Sequence, residues 1–193
     1  IIAAILCFCA YNIHHSMALP ILMMVISAFV LPKFKNSLKL TIAFWILSIF
    51  LSLTVGDWLE NFFANLGFDD RLNSYITSDA YDDQFSNTSF RWDFLLYSVI
   101  PIILGWYVVI RKHVSNKTYL MLLNTYILCN SFWVMLIRSS FSARFAYLSW
   151  FIYPILLAYP LLKLPIWREQ GNKLNWIMLA NLGFTYFMWL IGK

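Results

Sequence analysis

Charged side chains are scarce in this chain. Asp, Glu, Lys and Arg make up 12% of its 193 residues, against about 25% in an ordinary soluble domain. Hydrophobic residues reach 61% and the mean hydropathy is +0.68. A water-soluble fold is excluded on that balance, and the chain reads as an integral membrane protein. Cysteine is nearly absent as well. Cys7, Cys9 and Cys129 all lie inside apolar runs, and Cys7-x-Cys9 lacks the second pair that a zinc site needs. They read as small core residues, with no disulfide implied.

Other absences narrow the function. There is no glycine-rich phosphate loop and no serine nucleophile elbow, which argues against soluble nucleotide chemistry. His14 and His15 stand in tandem with no third ligand placed nearby by sequence, so no metal is expected. No charged start and small-residue cleavage site marks a signal peptide. The chain begins "IIAAILCFCAYN", without Met and in the middle of an apolar run, as a fragment of a longer protein would. Internal repeats and low-complexity tracts are missing too.

What is present is a series of apolar runs. Crossing the hydrocarbon takes ~20 apolar residues. One truncated run, Ile1 to about Ile13, precedes Met17–Leu31, Leu40–Val55, Phe94–Ile110, Thr118–Ile137, Phe145–Leu162 and Leu174–Ile191. The expected fold is all-α, a single polytopic membrane domain over residues 1–193 with about seven transmembrane helices. A long loop, residues 56–93, lies outside the membrane. Its first part places Trp58, Phe62, Phe63 and Leu66 at helical spacing, suited to a helix along the membrane surface.

The net charge of +5 does not point to nucleic acid, because it is sorted by side. Lys33, Lys35 and Lys39 share one short loop, Arg111, Lys112 and Lys117 a second, and Lys163, Arg168 and Lys173 a third. Alternating crossings place all three on one face, and positive loops face the cytoplasm. The opposite face receives Asp57, Glu60, Asp69, Asp70, Asp79, Asp82, Asp83 and Asp93. Its cations are Arg71, Arg91, Arg138 and Arg144, with Lys193 at the end of the chain. Charge sorting needs only lysine. Arginine adds a planar fork that grips phosphate or carboxylate at two points.

Three clusters on that outer face are candidates for chemistry. Arg91, Trp92 and Asp93 stand at the entry to an apolar run, with Tyr97 on the same helical face as Asp93. They form either an ordinary boundary pair with an aromatic belt residue, or a carboxylate that orients Arg91 or accepts a hydroxyl proton. In "SSFSARFAYLSW", Arg138 ends one run while Arg144 and Tyr147 begin the next. His14 and His15 form the third, suited to proton transfer near neutral pH or to a structural role. Together the arginines favour an anion-binding site at the outer membrane boundary.

The strings "SNTSFRWDFLLYSVIPIILGWYVVIRK" and "YLMLLNTYILCNSFWVMLIRSSFSARFAYLSWFIYPILLAYPLL" resemble the EpsG family of bacterial exopolysaccharide and O-antigen synthesis. The likeness runs through roughly residues 85–162, with "HHSMALP" similar to a His-Ser turn of the same family. Where that family often reads Ser-Asn-Arg-Phe, this chain has Ser142-Ala143-Arg144-Phe145, keeping the arginine without the amide.

The resemblance implies a Wzy-type polymerase, a glycosyltransferase of the bacterial cytoplasmic membrane. It would join undecaprenyl-pyrophosphate-linked repeat units at the outer face, without cofactor or nucleotide sugar, beside other polysaccharide assembly proteins. Under it, Arg91, Arg138 and Arg144 hold pyrophosphate, and Asp93, His14 or His15 serves the acceptor hydroxyl. Tyr97 and Tyr147 position these groups, and Trp92 stacks on sugar or prenyl chain. Two rivals are a flippase for the same lipid-linked sugars and a non-catalytic component of the synthesis complex.

Overall fold

A computed structural model describes residues 2–65, 90–138, 142–164, 166, 167 and 169–191 of the chain; at 57, 60, 61, 63–65 and 142–144 it describes the backbone alone. The expected outer loop therefore falls mostly outside the described residues, apart from both of its ends. No strand occurs among the described residues. The α-helices are α1 Ile2–Ile13, α2 Ala18–Val25, α3 Ser37–Asn65, α4 Trp92–Trp106, α5 Lys117–Met135, α6 Ser142–Trp150, α7 Tyr153–Lys163 and α8 Gln170–Ile191. Helix α2 runs on through a π-helical stretch, Ile26–Val30, and α4 through another, Tyr107–Arg111.

Five helical segments are long and apolar enough to cross a membrane: His15–Lys33, Ser37–Gly56, Trp92–Arg111, Phe145–Lys163 and Gln170–Ile191. About seven were expected. Of the other two, α1 has 12 residues, short of the ~17 that the thinnest crossing needs. Helix α5 has 19 residues, but Asn124, Thr125, Asn130 and Ser131 lower its hydropathy. All four are buried. This helix faces protein rather than lipid, packing against α2, α3, α4, α6 and α7. Tyr119, Leu123, Tyr126, Ile127 and Trp133 are all 0% exposed.

Helix boundaries follow from local chemistry. Asn116 caps α5, its Oδ1 accepting from the Tyr119 amide at 2.9 Å. The expected span 145–162 is broken into α6 and α7 at Phe151–Ile152. Pro154 explains the break, since its ring removes an amide and clashes with the carbonyl one turn back. Helix α3 bends at Val55, which leaves helical geometry at φ −132°, ψ 31°. Beyond that bend the helix continues to Asn65, and the rings of Trp58 and Phe62 stack at 5.3 Å, in line with the helical spacing of those aromatics.

Interhelical contacts fix which ends of the helices lie together. Thr41 bonds Asn124 at 2.9 Å, Trp45 bonds Asn130 at 2.8 Å, and Gly56 lies against Arg138. Helices α3 and α5 are thus parallel. Tyr126 Oη donates to the Ser98 carbonyl at 2.8 Å while Gly105 lies against Leu123, so α4 is antiparallel to both. Tyr153 meets Tyr126 and Tyr159 meets Tyr119, which makes α7 antiparallel to α5. One end of the bundle therefore gathers the connections bearing Lys35, Lys112 and Lys163. Its links include Trp167 Nε1 donating to Tyr107 Oη at 3.0 Å, with Lys112 over Tyr107 and Lys173 over Trp167. The opposite end carries Arg91 and Arg138. We call these the lysine end and the arginine end.

Candidate functional site

The arginine end rests on a floor of rings. Trp150 meets Phe94 at 5.3 Å, Tyr97 at 5.1 Å, Tyr147 at 5.8 Å and Trp133 at 6.0 Å. Its indole N–H donates to Ser98 Oγ at 2.8 Å, fixing the ring between α4 and α6. Tyr97 also stacks on Tyr153 at 4.4 Å and 4°. Such rings supply large, rigid apolar area with a few polar handles.

Arg91 precedes the first turn of α4 and folds back on it. Its Nε and Nη2 donate to Asp93 Oδ1 and Oδ2 at 2.9 and 2.6 Å, a two-point fork. The guanidinium lies 3.8 Å from the Phe94 ring centre. The hydrogen bond to Asp93 raises the Arg91 pKa further, against the opposing effect of burial. This pair is 26% and 36% exposed on its two sides, so it sits at the surface of the floor. Arg91 is therefore held in one orientation by Asp93, and a guanidinium has more donors than one carboxylate engages.

Arg138 has the opposite character. Helix α5 ends at Met135, since Leu136 adopts φ −107°, ψ 17°, and Arg138 lies in the turn beyond. It is half-buried against Gly56 of α3, where an added Cβ would lie 3.4 Å from Arg138 Cδ. Among the described residues it has no hydrogen-bond or ion-pair partner.

The other candidates are placed unevenly. Tyr147 is 62% exposed and Trp92 61%; Tyr147 packs on Trp150, whereas Trp92 contacts only Phe90 among the described rings, at 4.4 Å. The Arg144 backbone lies in the first turn of α6, and its side chain lies outside the described residues. His14 caps the short turn before α2. Its Nδ1 lies 2.6 Å from Ser16 Oγ and accepts from the Ser16 amide at 3.3 Å, so a neutral ring carries its proton on Nε2. The His15 ring meets Tyr11 edge-on at 4.9 Å, and neither of its nitrogens is hydrogen-bonded among the described residues. No hydrogen bond or ion pair joins the histidines or Arg138 to the Arg91–Asp93 pair there. Among those residues, too, no group of three His, Cys, Asp or Glu side chains is placed to hold a metal.

Sequence reading missed a buried polar seam. Thr41 and Asn124, Trp45 and Asn130, and Asn130 and Ser149 are bonded across α3, α5 and α6. Its signal was available: Thr41, Trp45, Ser48 and Ser52 recur at helical spacing inside an apolar run. The bonded pairs satisfy one another across the helices, as buried polar groups between membrane helices do. Ser48 returns its hydroxyl to the Trp45 carbonyl, and the buried Ser52 Oγ has no partner among the described residues.

Comparison with known proteins settles the family. The EpsG family model matches residues 1–193. The chain belongs to the EpsG family. The match extends on both sides of the 85–162 stretch that carries the resemblance by eye. No curated protein and no solved structure matches the chain. Membership, with five helices of membrane-crossing length, makes this EpsG-family chain a polysaccharide polymerase-like, multi-pass membrane protein.

Proposed function

We propose that this EpsG-family chain polymerises undecaprenyl-pyrophosphate-linked oligosaccharide repeat units at the outer face of the bacterial cytoplasmic membrane. The observation that carries this reading is the half-buried Arg138, unpaired among the described residues, on the same end of the bundle as the oriented Arg91. A cation with no carboxylate partner among the described residues is suited to an anionic ligand. The lysine end then faces the cytoplasm, consistent with the positive-inside rule, and the seven crossings expected from sequence place residues 66–89 outside.

In this reading the acceptor hydroxyl attacks the anomeric carbon of the growing chain. The bond from that carbon to pyrophosphate breaks, and undecaprenyl pyrophosphate leaves with the electron pair. Arg138, Arg91 and Arg144 stabilise the charge that develops there. The hydroxyl proton passes to Asp93 or to a ring nitrogen of His15. His14 orients the turn through Ser16, and Trp92, Tyr97 and Tyr147 line the approach of sugar or prenyl chain. A flippase reading calls for polar groups open to a path through the interior. In the polar seam of α3, α5 and α6, Thr41, Trp45, Asn124, Asn130 and Ser149 are engaged in interhelical hydrogen bonds, which favours the surface reaction.

The direct test is the full protein in vesicles with lipid-linked repeat units. Wild type should yield a ladder of products. Arg138→Ala should slow it by about 100-fold, and Arg138→Lys, which keeps charge and loses the fork, should fall between them. Equal ladders from all three would remove Arg138 from the reaction.

A further inference from the structure

A cavity lies at the lysine end of the molecule. About 600 Å³ in volume, it opens between the end of α2 and the start of α5, with Lys35 and Lys117 among its lining residues. Both lysines are exposed. Ala28, Leu120 and Met121 form apolar wall. A smaller cavity of about 280 Å³ adjoins it, sharing Lys35 and adding Lys39. The first amides of α5 lie at this mouth, where helix geometry leaves donors without intrahelical acceptors.

Ser27 supplies an independent sign of a ligand. It lines the larger cavity, is 2% exposed, and its Oγ has no hydrogen-bond partner among the described residues. Thr54, Thr125 and Ser131 return their hydroxyls to the carbonyl four residues back, the usual solution for a mid-helix hydroxyl in an apolar setting. Ser27 sits instead in the π-helical stretch Ile26–Val30, a geometry frequent at functional sites. A buried hydroxyl without a partner, on a residue that lines a cavity, is stabilised by an acceptor or donor oxygen brought within hydrogen-bond reach.

We infer that this cavity binds an anionic phospholipid. Its phosphate sits at the rim between Lys35 and Lys117, its ester oxygens reach Ser27, and an acyl chain lies along Ala28, Leu120 and Met121. The apolar wall selects a lipid over free phosphate, and the cation pair selects an anionic headgroup over a zwitterionic one. Basic pockets between membrane helices on the lysine-rich side bind such headgroups by this combination. The site is distinct from the arginine end and does not depend on the polymerase reading.

The test is thermal unfolding of the purified full protein in detergent, with phosphatidylglycerol, phosphatidylcholine or inorganic phosphate added. Phosphatidylglycerol should raise the melting temperature by roughly 4 °C over phosphatidylcholine. K35A/K117A should lose most of that gain, while K163A/K173A, at the same end but outside the cavity, should keep it. Should K35A/K117A fail to fold, Ser27→Val provides the second test, because it removes the hydroxyl without altering charge; it too should lose the gain. An equal gain in the cavity variants, or an equal loss in K163A/K173A, would overturn the site. The same gain from inorganic phosphate would overturn the assignment to lipid.

Discussion

Asn130 shows how much one side chain can hold in a membrane bundle. Its Oδ1 accepts from Trp45 Nε1 at 2.8 Å and its Nδ2 donates to Ser149 Oγ at 3.1 Å, linking α3, α5 and α6 through a residue that is fully buried. Removing it leaves the Trp45 indole N–H without its acceptor in a place water does not reach. Asn130→Ala should therefore destabilise the protein by ~1 kcal/mol, near the upper range for interhelical hydrogen bonds in bilayers, as a lower unfolding midpoint in detergent. Asn130→Asp keeps the acceptor but buries a charge, and should cost more. At the arginine end, Asp93→Asn should weaken the fork that orients Arg91 and slow polymer formation, with a smaller effect on melting because both partners reach the surface. A melting loss matching that of Asn130→Ala would make the pair structural instead. The arginines themselves were legible in sequence, since they depart from the lysine usage of the other end. The contrast between them was not. That Arg91 is paired and Arg138 is unpaired among the described residues depends on where α5 stops, and Leu136 gives no sign of that in a one-dimensional pattern.

At the scale of elements, close approach of α4 and α5 depends on Gly105. A Cβ there would meet Leu123 Cδ2 and lie 2.6 Å from Leu123 Cδ1, and Leu123 is 0% exposed, so its side chain would have to shift within the core. Gly105→Ala should cost about 1–3 kcal/mol through overpacking. Adding Leu123→Val should recover part of that loss, and failure of the double variant to recover would show that the helices are not held by this contact. Apolar run lengths located the helices closely, because hydrocarbon thickness dictates them. The missed details lie inside those runs. Pro154 divides 145–162 into two helices, Val55 bends α3, and the buried amides of α5 bond to neighbouring helices at the protein-facing centre of the bundle.

At the scale of the whole molecule, charge sorting and packing describe the same object. The helix contacts gather three lysine-bearing connections at one end, and the sequence puts Arg91, Arg138 and the exposed Tyr147 at the other. If the lysine end faces the cytoplasm, a membrane-impermeant thiol reagent applied to intact cells should label Tyr147→Cys and His15→Cys but not Lys112→Cys. That test calls for a chain whose three native cysteines have been replaced. Labelling in the reverse pattern would invert the orientation and place the arginines where no outer-leaflet substrate could reach them.

The central claim is that the arginine end carries out chain extension. Its most direct measurement is the length profile of surface polysaccharide in cells lacking the full-length gene, complemented with wild type or Arg138→Ala at equal protein level. The account predicts single-repeat products in the null strain, ladders with wild type, and single repeats again with Arg138→Ala. Undiminished ladders in the null strain, or with Arg138→Ala, would contradict it. Loss of even the single-repeat product would assign the chain to transport or to an earlier step.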